Sequence, residues 1–329
     1  MLFPLRKRLE PYPVSQYDSP HGHEVFITLR TLPCAHARCK FCGLKSLDRE
    51  WKGAGPLSEE ELFSQLRHSI SALSESERRA TEKVSLIGMA HSVITPDVVS
   101  TEALDKGISF LVESFPNLKH LSVETRADML PRSVVERISA NAAVRKKGIS
   151  LEAALGVESG VQKVRAALGK GISNKQLMEA AAVLQKAGWG MRAYFIHHLP
   201  GRSPRFAAKD LEAGARFMAR LKRRFPKLPL TMYVLRGYAP AELRATTFAA
   251  YEPASEAQVL NSLAKAARVC GKHGVSLVVD VVGADEAATS AEYLPGQRIQ
   301  PALIKFNVTQ DAAVLRRARK AILREFRTP

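Results

Sequence analysis

LEAALGVESGVQKVRAALGKGISNKQLMEAAAVLQKAGWGMRAYFIHHLPG, from Leu151 to Gly201, changes its hydrophobic period twice. Together with the two residues before it, ISLEAALGV (Ile149 to Val157) is a short apolar run of strand type. From Asn174 to Ala187 the apolar residues recur every three to four positions, which predicts a helix, and Gly188 stops it. WGMRAYFIHHL (Trp189 to Leu199) returns to strand composition. A strand, one crossover helix and a second strand make a βαβ unit, whose strands run parallel with a right-handed connection.

The same rhythm extends in both directions. Upstream, strands are predicted over Glu24 to Leu32, Lys83 to Met89 and Leu118 to Thr125. Between them fall helices from the Ser58/Glu61 capping box to about Leu73, from about Thr101 to Phe115 and from about Pro131 to Val144. Downstream, strands over Pro229 to Gly237 and Val275 to Gly283 alternate with helices from about Arg205 to Arg224 and from Ser255 to His273. Strands alternating with single helices predict an α/β fold: a parallel (β/α) full or partial TIM-like barrel of six or more βα units. The expected organisation is an N-terminal extension over residues 1–23, a core barrel over 24–227, and a C-terminal βα extension over 228–329 ending in a basic helix, Ala312 to Phe326.

In such sheets the chemistry sits on the loops after the strands. Here those loops carry TLPCAHARCKFCGLKS, GMAHS (Gly88 to Ser92), ETRAD (Glu124 to Asp128), GVESG (Gly156 to Gly160) and HHLPG (His197 to Gly201). Any one of them reads equally as turn chemistry, whereas their joint placement after strands predicts a shared rim. Cys34, Cys39 and Cys42 crowd into the first loop, and the remaining cysteine, Cys270, lies far away in a helical stretch, ARVCGKHG, where it reads as a buried small hydrophobe. A structural zinc site needs a fourth ligand nearby, which His36 could supply. Three thiolates alone suit an iron-sulfur cluster with one iron left free for chemistry.

These residues resemble the radical S-adenosylmethionine (SAM) enzymes. The cysteine triplet with Phe41 before its last member and Pro33 before its first looks like the cluster loop of that superfamily. LSVETRADML is similar to the E-T-R-P-D strand of the Elongator catalytic subunit, of tRNA methylthiotransferases and, more loosely, of oxygen-independent coproporphyrinogen oxidases. The run from Leu151 to Gly201 follows that group's G-V-Q/E-S turn, K/R-G turn, helix and strand ending in L-P-G, and the archaeosine synthase radical subunit shares several of these features. The resemblance covers roughly Glu24 to Pro204. It departs in three places: the first cysteine gap holds four residues (Ala35 to Arg38) instead of three, Ala127 stands where relatives often have Pro, and GMAHS replaces a Gly-Gly-Glu-like turn.

The resemblance implies a 4Fe-4S cluster on Cys34, Cys39 and Cys42, with S-adenosyl-L-methionine chelating the free iron. It implies Phe41 near the adenine, Gly88 near the methionine group, and Glu124 on the ribose hydroxyls with Arg126 beside it. Glu158 and Lys170 would contact the SAM carboxylate or ribose. The electron would come from a reductant such as flavodoxin or ferredoxin. His197, His198 and Tyr233 are the expected substrate-side groups, with Arg236 and Tyr238 near the last. Each has an ordinary alternative: Glu124 in a surface ion pair, Lys170 in a helix carboxyl cap, and Tyr233 in aromatic packing. Adjacent strand residues face opposite ways, so one of the two histidines is expected to point inward. With no second cysteine cluster and no D-x-H-x-x-G run, auxiliary clusters and a cobalamin domain are not expected.

Composition frames the substrate. Lys and Arg number 49 against 32 Asp and Glu, a net charge of +17, and basic residues cluster in RLKRRFPK (Arg220 to Lys227) and LRRARKAILREFR. An acidic partner such as RNA, for instance a tRNA, fits this excess. Solvated basic helix faces would account for it as well, and the 7% aromatic residues do not interleave with the basic runs. A small molecule or peptide is the alternative substrate, and a non-enzymatic zinc protein the alternative function. No stretch approaches the roughly 20 apolar residues of a membrane span, and a cytoplasmic location is expected.

Overall fold

The structure, a computed structural model, describes residues 13–32, 34–42, 55–88, 92–199, 202–236, 254–281 and 298–325. Its strands are β1 (Ser15–Ser19), β2 (Gly22–Leu29), β3 (Thr81–Gly88), β4 (His120–Thr125), β5 (Ser150–Glu158), β6 (Gly190–His197), β7 (Leu230–Arg236) and β8 (Ser276–Val279). The helices are α1 (Glu59–Ser71), α2 (Glu75–Ala80), α3 (Thr101–Ser114), α4 (Arg132–Ala140), α5 (Ala142–Lys147), α6 (Gln162–Ala167), α7 (Asn174–Ala187), α8 (Pro204–Arg224), α9 (Glu256–Lys272), α10 (Gln300–Thr309) and α11 (Ala312–Glu325). The eight strands form one sheet in chain order, β1 to β8, and β2 through β5 pair in parallel, as do β7 and β8. This is the (β/α) architecture that the periodicity predicts.

Local chemistry accounts for most boundaries. Ser58 and Glu61 close the expected capping box on α1, Glu61 N donating to Ser58 Oγ at 3.1 Å and Ser58 N to Glu61 Oε2 at 2.8 Å. The single helix expected over Pro131 to Val144 is instead two. Asn141 leaves the helical region, and its side-chain oxygen accepts from Ala143 N and Val144 N, both at 3.1 Å, restarting the chain as α5. β1 lies inside the span read as an N-terminal extension and contributes a strand to the sheet. Two short helices, α2 and α6, and the weakly amphipathic α10 had no periodic signal strong enough to read.

The contacts divide the chain into two compact units: one holds the chain up to Tyr17, His21–Leu155 and Asn174–Met191, the other Asp18–Pro20, Gly156–Ser173 and the chain from Arg192. In the first, Val25 and Ile27 of β2, Val84 and Leu86 of β3, Leu121 and Val123 of β4 and Leu151 and Ala153 of β5 lie in register on one face, all buried. The alternate face carries Glu24, Lys83, Ser85, Ser122 and Glu152, also buried. Four of them pair across the strands: Lys83 Nζ donates to Glu152 Oε1 at 2.8 Å and Ser85 Oγ to Glu24 Oε1 at 2.6 Å.

In the second unit, β8 pairs with β7 along one edge, and the amides of α10 cover the other. Val279 N donates to Asn307 Oδ1 at 2.9 Å while Asn307 Nδ2 donates to Val279 O at 2.7 Å. Gln310 repeats the arrangement on Leu277, at 3.0 and 2.9 Å. Two side-chain amides thus stand in for a neighbouring strand and leave no open edge at these residues.

Two outcomes are expected in urea unfolding. Glu152→Ala removes the carboxylate that the buried Lys83 ammonium bonds and lowers stability by about 3–5 kcal/mol, whereas the Lys83→Met/Glu152→Leu double variant recovers most of the loss. Asn307→Leu leaves a backbone donor and acceptor of β8 unpartnered and costs about 2–4 kcal/mol.

Candidate functional site

Cys34, Cys39 and Cys42 follow β2, and none is in a disulfide; Cys39 is buried and the other two are half-buried. Cys42 N donates to Cys39 O at 3.3 Å, which folds Cys39, Phe41 and Cys42 into one turn. Within the enlarged gap, Ala37 takes a left-handed conformation, φ 40°. Among the described residues no three His, Cys, Asp or Glu side chains converge as a metal-holding group, so the three sulfurs share a loop without being gathered. The loop is anchored from α1: the buried Gln65 accepts from Arg30 N at 2.7 Å through Oε1 and donates to Arg30 O through Nε2. Gln65 escaped the sequence reading because its carrier helix faces the loop from outside the motif.

At the carboxyl end of β4, Arg126 is 6% exposed and forks onto Asp128, Nε and Nη2 each 3.0 Å from a carboxylate oxygen. Burial opposes its charge, yet Asp128, with Cys34 and Cys39 close enough to add negative potential, holds the guanidinium above its ordinary pKa. Asp128 is therefore an ion-pair partner of Arg126. Glu124 is half-buried; its carbonyl accepts from Val93 N at 3.1 Å, and Thr125 Oγ1 lies 2.6 Å from Ser92 Oγ. These contacts tie the segment after β3 to the end of β4. Gly88, the last residue of β3, pairs with Leu29 at the end of the strand that leads into the cysteine loop. Met89 to His91 lie outside the described residues.

In the second unit, Glu158 ends β5 with a left-handed backbone, φ 69°, and accepts a 2.7 Å hydrogen bond from Lys170 Nζ, both side chains being buried. A side chain at Gly156 would place its Cβ 2.5 Å from Lys170 Nζ and 2.7 Å from Glu158 Oε1, so it would push the charged ends of the pair from this position. The Lys170 ammonium thus pairs with Glu158, while its backbone N donates to Arg165 O at 2.9 Å, closing the carboxyl end of α6. The turn is held from beneath. Ser159 Oγ donates to Asp210 Oδ1 at 2.6 Å, and Arg165 donates to Ser159 O at 2.8 Å and to Ile172 O at 2.9 Å. Gly160 lies against the backbone of α8, where a Cβ would come within 2.5 Å of Gly214 N. Burial raises the pKa of Asp210 and lowers that of Arg165. Ser159 stands in the motif that was read, but Arg165, Asp210 and Gly214 were missed, and a glycine inside a long helix was the one signal available.

His197 and His198 turn to different partners. His197 Nε2 is 2.8 Å from Ser262 Oγ on α9, and burial, helped by His198, pushes its pKa down to about 4. His198 adopts φ 68°, donates from Nε2 to Arg202 O at 2.7 Å and accepts at Nδ1 from Ala254 N at 3.2 Å, which fixes its tautomer. Tyr233 is buried, edge-on to Tyr194 with centroids 5.2 Å apart, and the Arg192 guanidinium lies 5.2 Å from its ring centroid. Tyr238 lies outside the described residues, as does Gly201. Cys270 is buried 3.7 Å from Met232 Sδ, and burial pushes its thiol up to about 12, in keeping with a small apolar residue.

No family model matches the chain. It is 24% identical over 183 residues to the uncharacterized protein MJ0550 of Methanocaldococcus jannaschii, covering 54% of this chain and 47% of that protein, so it spans about half the length of that curated relative. Among solved structures it is similar to Methanocaldococcus infernus Elp3 (18% identity, TM-score 0.47, 66% of this chain and 51% of that one). Coproporphyrinogen III oxidase (HemN) from Escherichia coli, described as a radical SAM enzyme, gives 14% identity and a TM-score of 0.46 over 78% of this chain and 54% of its own. Methylornithine synthase (PylB) gives 12% and 0.49 over 81% and 74%. At these values the assignment of function stays with the residues themselves.

The buried His197 makes stability pH-dependent. The unfolded imidazole takes up its proton near pH 6.5 and the folded one near pH 4, so the unfolded state binds more protons in between. Stability is therefore complete above about pH 6.5 and falls by roughly 3 kcal/mol as the pH drops toward 4. Urea midpoints across that window should follow this slope, and His197→Phe should flatten it.

Proposed function

We propose that the chain is a radical SAM enzyme. The observation that carries this reading is the loop of three free cysteines that follows a parallel strand. The donor set fits a 4Fe-4S cluster: three thiolates supply the protein ligands and leave one iron for an amino and carboxylate pair. Held there, such a cluster would supply the one electron for reductive cleavage of S-adenosyl-L-methionine and so for hydrogen abstraction from a substrate. In this reading the protein positions the reactants and excludes water.

Cys34, Cys39 and Cys42 would hold the cluster, and Arg126, locked by Asp128, would offset the thiolate charge. Phe41 would cover the adenine. Gly88, without a side chain, would admit the methionine group, and Glu124 would accept from the ribose hydroxyls. Glu158 and Lys170 would meet SAM as a preformed pair of opposite charges, each held in place by the other until the cofactor's own charged or hydroxyl groups replace that contact. His197 and His198, whose ring nitrogens already hold Ser262, Arg202 and Ala254, would act by shaping the substrate side, together with the Tyr233 ring. Flavodoxin or ferredoxin is the class of reductant this chemistry calls for. The net charge of +17 supports RNA, such as a tRNA base, as the substrate. No described helix is long and apolar enough to cross a membrane.

The test is 5'-deoxyadenosine release from SAM by anaerobically reconstituted, reduced protein. The wild type is expected to bind about four irons per chain and to release 5'-deoxyadenosine, whereas Cys39→Ala/Cys42→Ala should do neither. Glu158→Ala is expected to keep the iron and lose the SAM-induced change in the cluster's EPR signal. A preparation that takes up one zinc and no iron would replace this reading with the zinc protein.

A further inference from the structure

The basic residues of the second unit are concentrated on three neighbouring helices. α9 packs against both α8 and α11, so their outward faces adjoin. Arg220 and Arg223 on α8, Lys265 and Arg268 on α9, and Arg316 and Lys320 on α11 are all exposed. They recur every three or four residues, about 4.5–6 Å along each helix, and neighbouring helix axes lie about 8–10 Å apart. The carboxylates do not balance them. Among the described residues of these helices Glu325 is the one exposed acid, and Arg298 holds it; Glu212 and Glu256 are partly covered and bound to Arg216 and Arg298, and Asp210 is buried on Ser159.

The outward faces also lack what other partners would need. The exposed large apolar side chains among the described residues are Val161, Ile304 and Val308, none of them on α8, α9 or α11. A membrane-seated helix inserts apolar side chains, and a protein interface centres on apolar or aromatic anchors. No aromatic side chain on the three helices is exposed, so bases have no platform on which to stack. A rigid cationic lattice without anchors or stacking surfaces fits regularly spaced phosphates.

We propose that α8, α9 and α11 form a docking surface for the phosphate backbone of double-helical nucleic acid, with RNA as the expected occupant. The choice of RNA over DNA rests on the substrate reading above; the surface itself does not, because binding here requires neither cluster nor SAM. It is therefore tested on the full chain without reconstitution, by fluorescence anisotropy of a labelled RNA hairpin, a DNA duplex of equal length and phosphatidylserine vesicles, each over a salt series.

With all six side chains engaged, the logarithm of the RNA affinity should fall with log salt at a slope of about −5. Arg220→Gln/Arg268→Gln/Arg316→Gln should weaken binding at least tenfold and flatten the slope by about three, and Arg145→Gln/Lys146→Gln/Lys175→Gln, on the first unit's helices, should stay within twofold of wild type. Binding of RNA and DNA alike supports the backbone surface and refutes the choice of RNA. Equal loss in the two triple variants, a salt-independent affinity, or capture by vesicles without duplex binding would each overturn the proposal. A chain that docks RNA yet releases no 5'-deoxyadenosine would separate this inference from the enzymatic one.

Discussion

A parallel sheet covered on both faces leaves its polar side chains no water, and in this chain one face of β2 to β5 is polar at its heart. Lys83 and Glu152 stand on strands separated by β4, so their contact exists only when three strands are in register. Shifting one strand by a single residue would turn these groups to the apolar face and bring Val84 or Leu151 inward. The desolvation cost of two buried charges is large, and their attraction offsets it only in the correct register. The pair thus contributes little net stability while penalising every alternative, and the strand ends that carry Gly88, Glu124 and the cysteine loop are set by that register.

The second unit solves a related problem at Glu158. A non-glycine residue in the left-handed region costs of order 1 kcal/mol or more, so the surroundings must over-determine it. Here Ser159 is tied to Asp210, Arg165 bridges Ser159 O and Ile172 O, and Gly160 presses on Gly214. The backbone strain is confined to the residue whose carboxylate meets Lys170. Such a turn holds its charged pair in one fixed place.

The strands and long helices were legible because burial repeats along them at fixed periods, and the Ser58 capping box because both partners lie within one turn. Asn141 was not legible as a break, since nothing in its neighbourhood distinguishes a helix-interior Asn from a cap until the tertiary packing chooses. Likewise α10 has almost no amphipathic stripe, because its task is to present Asn307 and Gln310 to the edge of β8 instead of burying one face. In the candidate site, the glycines around Glu158 announced close approach, and the structure has Lys170 in the space they leave. The direction of His197 could not be read, because Ser262 lies sixty-five residues on and local alternation says only that one histidine of the pair turns away. Pairings across an intervening strand, such as Lys83 with Glu152, leave no mark at any fixed sequence distance.

The net charge of +17 becomes informative only when the arginines are sorted by place. Arg126, Arg165 and Arg192 are each at most 6% exposed and serve the interior: one forks onto Asp128, one holds the Ser159 turn, and one lies over Tyr233. Arginine suits such positions because its planar, weakly hydrated cation keeps its charge when buried and satisfies carbonyls and ring faces at fixed angles. These three residues add to the formal charge and little to the field outside. On α1 the exposed charges are mixed, with Glu59, Glu60 and Glu61 gathered in the first turn. Among the described residues, the outward faces of α8, α9 and α11 carry a basic excess whose few carboxylates are buried or held by arginines. A chain of the same composition with those arginines dispersed would have the same formal charge and a far weaker grip on a phosphate backbone, because counterion release depends on cations spaced to meet several phosphates at once.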